Sequence, residues 1–264
     1  MSEYEAVAET VVYRNVNAHL VELLDPPAGA YVLDVACGTG SLTELLLARD
    51  PAVRAWASDP DESMLAACRQ LLGDRVGLLL ARAEEVGRML PPESLDAVVI
   101  GNAIHLVEDI EATLRSLVRV VKPGGRLALN TAFYDGAERP EDRPLYWALV
   151  LKARSAARAL GSPPAARRTP RALAKRPLAP ERYPAATTAA GMRVVASEEV
   201  PVTLDAELIR KIVGAPVFAR GALPGVPIQI ATAALEQAVH EIAAERAGTP
   251  IQRNWYYLVV EREE

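Results

Sequence analysis

The sequence predicts an α/β fold in which a mostly parallel sheet is doubly wound, with helices on both faces. Two observations lead to this prediction. Across the first half of the chain, short apolar runs rich in β-branched residues alternate with segments whose apolar residues recur at helical spacing. Strands connected in this way pair in parallel, and right-handed crossovers place the helices on both faces. The 264 residues, of which 50% are hydrophobic and 24% charged, suffice for one such domain with insertions.

The first half of the chain supplies most of the predicted sheet. Strands are predicted at residues 31–36, 53–59, 76–81, 95–101 and 126–133, and helices at residues 41–50, at 61–74 and from Asp109 onward. Asp109 can cap the last of these helices, Lys122 lies near the negative end of its dipole, and the Pro-Gly-Gly sequence at 123–125 is predicted to end it. An amphipathic N-terminal segment carries Tyr4 and Tyr13, and packing is the preferred interpretation for both tyrosines.

The second half of the chain departs from this alternation. Helices are predicted at 145–160, 205–220 and 228–247, and strands at 192–202 and 251–262. A loop rich in proline, arginine and alanine runs from residue 161 to about residue 180. We therefore expect a core over residues 1–137 that combines an N-terminal helix with the sheet. The same pattern predicts helical lid insertions at 138–180 and 204–249, with the remaining sheet elements at 181–203 and 250–264.

The composition excludes several classes of protein. The net charge of −5 argues against nucleic acid as a partner, and no apolar run is long enough to span a bilayer, so we expect no membrane insertion. The first residues are acidic, with no basic stretch leading into an apolar one, so we expect no signal peptide. Two cysteines are too few for a disulfide framework and fit a reducing compartment. These features predict a cytoplasmic enzyme or small-ligand binder, either a monomer or a homodimer.

One stretch of the chain has the opposite charge. Residues 152–182 contain nine lysines or arginines against one acid, Glu181. Nucleic-acid binding favours such a stretch when aromatic residues accompany it, and only Tyr183 is near. We interpret the stretch as a solvated lid linker, with a site for an acidic acceptor as the alternative.

The string LDVACGTGSL is the most informative part of the sequence. A strand ends, Gly38 and Gly40 permit a tight turn close to a ligand, and a helix begins at about Ser41. The exposed N–H groups at a helix start favour a negatively charged ligand group. Asp59 ends the next strand, where a carboxylate can accept hydrogen bonds from the ribose hydroxyls of an adenosine ligand. The crevice at the carboxyl ends of these strands is the expected binding site.

Three details distinguish this turn from one that binds a dinucleotide. Thr43 stands where the dinucleotide fingerprint has its third glycine. Asp34 precedes the turn on a buried strand, where a pyrophosphate would be repelled and an ammonium group would not. Met64 follows Asp59 at a distance that lets a flat base lie against it. A carboxylate, an ammonium, a ribose and an adenine are all present in S-adenosyl-L-methionine, which the site therefore suits.

Four strings in order resemble motifs of the class I S-adenosylmethionine-dependent methyltransferases of the small-molecule type. They are VLDVACGTG, SDPDESML, SLDAVVIGNAIHLVED and VRVVKPGGRLAL, and together they cover roughly residues 30–132. The resemblance implies a Rossmann-like, seven-stranded, mostly parallel sheet with a reversed C-terminal hairpin. It also implies S-adenosyl-L-methionine as the cofactor and S-adenosyl-L-homocysteine as the product.

The resemblance assigns each part of the cofactor to particular residues. The assigned residues are Asp34, Gly38, Gly40, Asp59, Met64, Ala83, Glu84 and Asn102. The first three hold the methionine part, the aspartate of the second strand holds the ribose, and Met64 contacts the adenine. Ala83 and Glu84 flank the adenine edge, and Asn102 lies beneath the sulfonium. Ala36 replaces the first loop glycine, and Arg82 replaces an adenine-binding aspartate, which leaves that contact to the backbone or to Glu84.

The expected reaction is methyl transfer to a small, lipophilic metabolite by direct in-line displacement, with O-methylation favoured. His105 follows the fourth strand, at the edge where acceptors meet the sulfonium. It is a candidate base, and the alternative is that it packs or orients a loop. Five aromatic residues could line an apolar acceptor pocket, although aromatics at helical spacing more often belong to a core: Phe133, Tyr134, Tyr146, Trp147 and Phe218.

Two cysteine interpretations and two alternative functions complete the predictions. Cys37 lies in the glycine loop with no histidine or second thiol nearby in sequence, so we interpret it as a small loop filler, and Cys68 as core. The histidines and cysteines lack metal-ligand spacing, so we expect no metal. The alternatives are a nicotinamide (NAD)-dependent oxidoreductase, and a protein that uses S-adenosyl-L-methionine for other chemistry, such as cyclisation.

Overall fold

The computed structural model describes residues 10–162, 178–204, 206–214, 216–246 and 251–263. Two compact units share the chain. The first, called here the sheet unit, comprises Tyr13–Ala137, Arg176–Val200 and Trp255–Glu264. The second, called the helical unit, comprises Met1–Val12, Glu138–Lys175 and Pro201–Asn254. Tyr4 and much of the loop predicted after residue 161 lie outside the described residues.

The helices and strands follow one another in an order typical of a doubly wound fold. In chain order they are α1 (Val11–Leu24), β1 (Tyr31–Val35), α2 (Ser41–Arg49), β2 (Arg54–Asp59), α3 (Glu62–Leu72), β3 (Val76–Leu80), α4 (Ala83–Met89), β4 (Leu95–Gly101), α5 (Ile110–Val118), β5 (Val121–Thr131), α6 (Arg143–Ala159), α7 (Arg182–Thr188), β6 (Met192–Leu204), α8 (Ala206–Gly214), α9 (Pro216–Ala222), α10 (Ile228–Glu245) and β7 (Ile251–Arg262). None of the helices that the structure describes is long and apolar enough to cross a bilayer.

The seven strands form one sheet in the order β3-β2-β1-β4-β5-β7-β6. Strands β1 to β5 pair in parallel, and β7 runs antiparallel to β5. The predicted seven-stranded, mostly parallel sheet with a reversed C-terminal end is therefore confirmed. The strand order changes direction between β1 and β4, and such a switch point opens a crevice at the carboxyl ends of the two strands.

The central strands are buried on both faces, which explains why they appear in the sequence as unbroken apolar runs. In β4, the four consecutive residues Ala97 to Ile100 are all buried. Helix α5 covers one side of this region with Leu114 and Leu117, both fully buried. The apolar stripe predicted for this helix thus forms part of the core.

The end of α5 is where the sequence prediction is wrong. Asp109 caps the helix as predicted, its carboxylate accepting a backbone N–H at 2.9 Å, but the helix ends at Val118 and does not reach the Pro-Gly-Gly sequence. Val121 is β-branched, fully buried and already paired with β4, so the strand begins there. Lys122 consequently lies in β5, and its ammonium is 2.6 Å from the carboxylate of Asp96.

The second half of the chain contains helices that the periodicity did not resolve. The helix predicted over 205–220 is divided into α8 and α9, because Pro216 has no N–H to continue a preceding helix and is favoured at a helix start. The short helix α7 was not predicted at all, and neither was α4 in the first half of the chain. In the helical unit, α6 and α10 bury alanine-rich faces in one apolar cluster.

Candidate active site

The turn after β1 has a backbone that only small residues accommodate. Gly38 and Gly40 have φ angles of +53° and +91°, in the left-handed region that glycine enters without cost. A Cβ on Gly40 would lie 2.7 Å from the sulfur of Cys68, whereas a Cβ on Gly38 would meet nothing within 4 Å. Ala36, the replacement for the first glycine, also has a positive φ of 55° and is strained. The backbone at Gly40 is therefore packed against Cys68, whereas the backbone at Gly38 has free space beside it.

Asp34, in β1, is a buried carboxylate with half of its hydrogen-bonding capacity unused. The residue is 1% exposed, and its Oδ2 accepts a hydrogen bond from the Thr43 hydroxyl at 2.6 Å. Its Oδ1 is buried and has no partner within the described part of the chain. Burial raises the pKa of Asp34 to about 7, with a smaller contribution from the charge of Asp59 and an opposing one from the Thr43 hydrogen bond. A nearby cation would stabilise the ionised carboxylate and lower the pKa of Asp34.

Asp59 ends β2 and holds the glycine turn in place. One carboxylate oxygen accepts the N–H of Gly38 at 3.0 Å, and the other accepts the N–H of Asp61 at the same distance. The residue is 8% exposed, so it is not a solvated acid at the start of α3. Burial raises the pKa of Asp59, against the lowering effect of the two backbone hydrogen bonds. Each oxygen keeps a further acceptor position for a ligand.

Two thiols that are distant in sequence meet behind the turn. Cys37 and Cys68 are both buried and unoxidised. The hydrogen bond with the Cys68 thiol, together with burial, raises the pKa of Cys37. The search along the sequence missed this contact because 31 positions separate the two residues. A thiol whose ionised form is disfavoured is a poor nucleophile, so the interpretation of Cys37 as a loop filler remains the better one.

The residues assigned to the adenine lie around the end of β2 and the start of α4. The N–H of Ala81 donates to the backbone oxygen of Asp59 at 3.2 Å, which brings this start next to the ribose candidate. Ala83 is buried, and Glu84 accepts the N–H of Glu108 at 2.8 Å through a side-chain oxygen. Met64 lies half-buried on α3. Contact of these side chains with an adenine remains a prediction.

Asn102, at the carboxyl end of β4, connects three elements of the sheet unit. Its backbone has a φ of +48°, and its N–H donates to the side-chain oxygen of Asn130 at 2.8 Å. Its own side-chain oxygen accepts the N–H of Ala132 at 3.0 Å, and its amide group donates to the hydroxyl of Tyr13 at 2.9 Å. Asn102 thus holds these elements together, and its place beneath the sulfonium remains a prediction.

His105 stands at the same edge, on a short 3₁₀ turn over Ile104–Leu106. Its Nδ1 is 3.5 Å from the hydroxyl of Thr131, and its ring lies 4.2 Å from the ring of Phe133, centroid to centroid. The histidine is half-buried, in a position that allows both proton transfer and loop packing.

A tyrosine and a tryptophan complete this edge. Tyr13 of α1 packs edge-on against Trp255 of β7, with ring centroids 6.0 Å apart. Trp255 is 2% exposed, and its indole N–H is buried without a partner among the described residues. Tyr13 therefore has a polar contact with Asn102 in addition to the packing that the sequence indicated.

Sequence reasoning missed Thr43, which contacts the central carboxylate. It was noted only as the absence of a glycine. Because it lies three positions after Gly40 in the first turn of α2, its side chain can reach back to β1 and bind Asp34. The hydroxyl of Thr43 was the feature of the sequence that could have indicated this contact with Asp34.

These residues fit the cofactor that the resemblance implies. The unpartnered Oδ1 of Asp34 suits an ammonium group, the open space at Gly38 allows a ligand to approach the backbone, and Asp59 keeps acceptor positions for hydroxyl groups. Among the residues described, no group of three or more histidine, cysteine, aspartate or glutamate side chains could hold a metal ion.

Comparisons with known proteins find methyltransferases similar to part of this chain. Residues 33–129 match the family model described as a methyltransferase domain. An uncharacterised methyltransferase of Mycobacterium tuberculosis is 39% identical over 109 residues, which are 41% of this chain and 42% of that protein. A ubiquinone/menaquinone biosynthesis C-methyltransferase of Hahella chejuensis is 40% identical over 106 residues, 38% of this chain and 42% of that protein. A 2-phytyl-1,4-naphtoquinone methyltransferase of Thermosynechococcus vestitus is 33% identical over 110 residues, 41% of this chain and 49% of that protein.

Solved structures extend the likeness of the fold to nearly the whole chain. The YcgJ protein of Bacillus subtilis has a TM-score of 0.57 at 16% identity, covering 95% of this chain and 99% of that one. The [4+2]-cyclase SpnF has a TM-score of 0.58 at 20% identity, covering 95% of this chain and 81% of that one. At such identities only the fold is shared.

The chain spans only part of the length of the curated relatives it matches, and the family model covers residues 33–129. The matches span 34% to 59% of the length of the curated relatives, so what those proteins act on does not transfer to this chain with the match. The matched segment contains β1 to β5 and the glycine turn. It favours S-adenosyl-L-methionine over a nicotinamide dinucleotide, the alternative that the glycine turn had left open. The chain therefore carries, over residues 33–129, a segment similar to the class I S-adenosylmethionine-dependent methyltransferases.

Proposed function

We propose that this protein transfers the methyl group of S-adenosyl-L-methionine to a small, lipophilic acceptor, with a hydroxyl oxygen as the favoured site of methylation. The observation that carries the proposal is the buried, unpartnered Oδ1 of Asp34 beside a glycine turn. A structural carboxylate in a core is normally satisfied by hydrogen bonds, so an unsatisfied one at a sheet switch point indicates a cationic ligand group.

In this proposal the sheet unit holds the cofactor by its polar ends. Asp34 binds the ammonium group with one carboxylate oxygen while Thr43 keeps the other in place. Asp59 accepts hydrogen bonds from the ribose and, through its contact with Gly38, keeps the turn in the shape that receives the methionine part. Met64, on the first turns of α3, provides an apolar surface for the adenine.

S-adenosyl-L-methionine supplies an activated methyl group on its sulfonium, and the acceptor displaces the thioether in line. The remaining task of the protein is to place the acceptor and to exclude water, and placement alone can supply ~7–11 kcal/mol of the barrier. His105 is the proposed base for a hydroxyl acceptor, and a positioned base contributes roughly 10²- to 10⁴-fold. Its contact with Thr131 favours an orientation in which Nε2 is directed away from β5.

The lipophilic character of the acceptor is supported by two observations. Phe133 places a half-buried aromatic ring beside His105, at the edge where β4 and β5 end. Two of the relatives, those of Hahella chejuensis and Thermosynechococcus vestitus, are named for quinone substrates.

A labelled-donor screen tests the proposal. The full chain is incubated with S-adenosyl-L-methionine that carries a radioactive methyl group and with phenolic, quinol, amine and carboxylate acceptors. We expect label in an organic-soluble product and stoichiometric formation of S-adenosyl-L-homocysteine. The Asp34→Asn variant is the matched control and should form neither product. Binding of the cofactor with conversion of an acceptor to an unlabelled product would instead indicate the cyclisation type of chemistry.

A further inference from the structure

Helix α6 carries an arginine on the face that it buries in the helical unit. Tyr146, Val150 and Arg154 follow one another at intervals of four residues, so they lie on one stripe of the helix. Val150 is 1% exposed, and Ala153 and Ala157 beside this stripe are buried as well. Arginine is rarely placed on such a stripe unless a partner balances its charge.

No such partner is present among the described residues. The Nε and Nη2 atoms of Arg154 are buried and have no hydrogen-bond partner, and no ion pair to this residue occurs in the part of the chain that the structure describes. Its neighbour Lys152, by contrast, is paired with Glu241 at 3.4 Å and Glu245 at 2.7 Å. Arg154 as a whole is half-buried, and these two donor atoms are its part that is out of contact with solvent. Burying two donors of a charged group without an acceptor is costly to the fold, which points to a role in binding.

The two unpartnered atoms belong to the same edge of the guanidinium. Nε–H and Nη2–H point in parallel and form the fork that binds both oxygens of a carboxylate or phosphate. Tyr146 lies close by, since the charge of Arg154 partly opposes the rise that burial produces in the pKa of this tyrosine. The Tyr146 ring also packs edge-on against Phe218, with centroids 6.3 Å apart. The rings of Tyr146 and Phe218 thus lie near a guanidinium edge of Arg154 whose two N–H donors have no acceptor.

We propose that Arg154 is the anion-binding residue of the helical unit, and that it receives the carboxylate or phosphate of a small ligand whose apolar body contacts Tyr146 and Phe218. This inference goes beyond methyl transfer, because binding of the anion needs neither the cofactor nor the reaction. Neutral molecules of the same shape are expected to bind more weakly, since they leave the guanidinium unbalanced.

Fluorine NMR on the full chain, without cofactor, provides the test. The probes are 4-fluorobenzoate, 4-fluorophenyl phosphate and the neutral 4-fluorobenzyl alcohol. We expect saturable binding of at least one anion, at least about tenfold tighter than that of the alcohol. Arg154→Met should weaken anion binding at least about tenfold, and Arg154→Lys by several fold because lysine keeps the charge and loses the fork. The exposed Arg158 is on the same helix, so Arg158→Met is the matched control and should bind as the wild type does.

The melting temperature separates binding from a structural role. Removal of the two buried, unpartnered donors should raise the melting temperature of the Arg154→Met variant without ligand, whereas loss of a structural contact would lower it. The anionic probe should raise the melting temperature of the wild type and leave that of the variant unchanged. Tighter binding of the benzoate or of the phenyl phosphate would identify the anion as a carboxylate or a phosphate. Absence of saturable anion binding, or equal binding by wild type and Arg154→Met, would overturn the proposal and leave methyl transfer untouched.

Discussion

The protonation state of Asp34 provides the most direct test of the proposed cofactor site. Burial raises the pKa of this carboxyl to about 7, so near neutral pH the free protein contains both protonated and ionised forms. An ammonium group binds favourably only to the ionised form. Affinity for S-adenosyl-L-homocysteine should therefore rise with pH through this range, and binding below it should release a proton.

The magnitude follows from the pKa. At about pH 6 roughly one molecule in ten has Asp34 ionised, and at about pH 8 roughly nine in ten do, so the dissociation constant should fall about tenfold between the two. Asp59, whose pKa burial also raises, shifts binding in the same direction. Asp34→Asn removes the contribution of Asp34 to the pH dependence of binding and leaves that of Asp59. It should weaken binding at about pH 8 by at least about tenfold and reduce the pH dependence.

The same pKa predicts how stability depends on pH. The folded protein holds a proton on Asp34 up to about pH 7, whereas the pKa of an unperturbed aspartate is 3.8. Between these values the folded state binds more protons than the unfolded state, so the free energy of unfolding falls as pH rises. A difference of roughly three units corresponds to about 4 kcal/mol, and Asp34→Asn should abolish this decline.

Isothermal titration calorimetry with S-adenosyl-L-homocysteine, in two buffers of different ionisation enthalpy, measures both the affinity and the proton release. Chemical denaturation across the same pH range measures the stability. Asp74→Asn is the control, since the Asp74 carboxylate is fully exposed beyond the end of α3. A dissociation constant that stays the same from about pH 6 to pH 8, with no proton release, would refute the assignment of Asp34 to the ammonium group.

Three further predictions concern the turn and the acceptor edge. Asp59→Ala should raise the dissociation constant for S-adenosyl-L-homocysteine at least about tenfold in calorimetry while circular dichroism shows an intact fold, and an unchanged constant would count against the ribose assignment. Gly40→Ala should lower the free energy of unfolding by about 1–3 kcal/mol, because its Cβ would lie 2.7 Å from the sulfur of Cys68. Gly136→Ala, which meets nothing within 4 Å at a similar φ, should cost less in the same denaturation experiment, and equal losses would contradict the packing argument. His105→Gln should lower kcat about 10²-fold or more with a hydroxyl acceptor and leave cofactor binding unchanged, whereas a kcat within twofold of wild type would favour the packing role.

Local sequence patterns were sufficient to predict the sheet and the turn. The β-branched runs predicted β1 to β4 within one residue of their observed bounds, because strands buried on both faces leave a continuous apolar signal. The boundary between α5 and β5 was misplaced because Val121 fits a helical stripe as well as a strand, and its burial beside β4 decides between them.

Contacts between distant parts of the chain could not be predicted in this way. The hydrogen bond from Thr43 to Asp34, the meeting of Cys37 with Cys68 and the inward position of Arg154 all depend on how elements pack. The spacing of a motif identifies which residues surround a ligand. It does not identify which side chains already have all their hydrogen-bond partners. The missing partner of one carboxylate oxygen distinguishes Asp34 from an ordinary core carboxylate.

The strand order also has a consequence for synthesis of the protein on the ribosome. β6 leaves the ribosome before β7, yet in the finished sheet β7 lies between β5 and β6. Until residues 251–262 emerge, β5 presents an unpaired edge and β6 has no neighbour to join. Exposed edges of this kind invite pairing with other chains. Nascent chains halted before β7 should therefore depend on chaperones more strongly than chains halted after it.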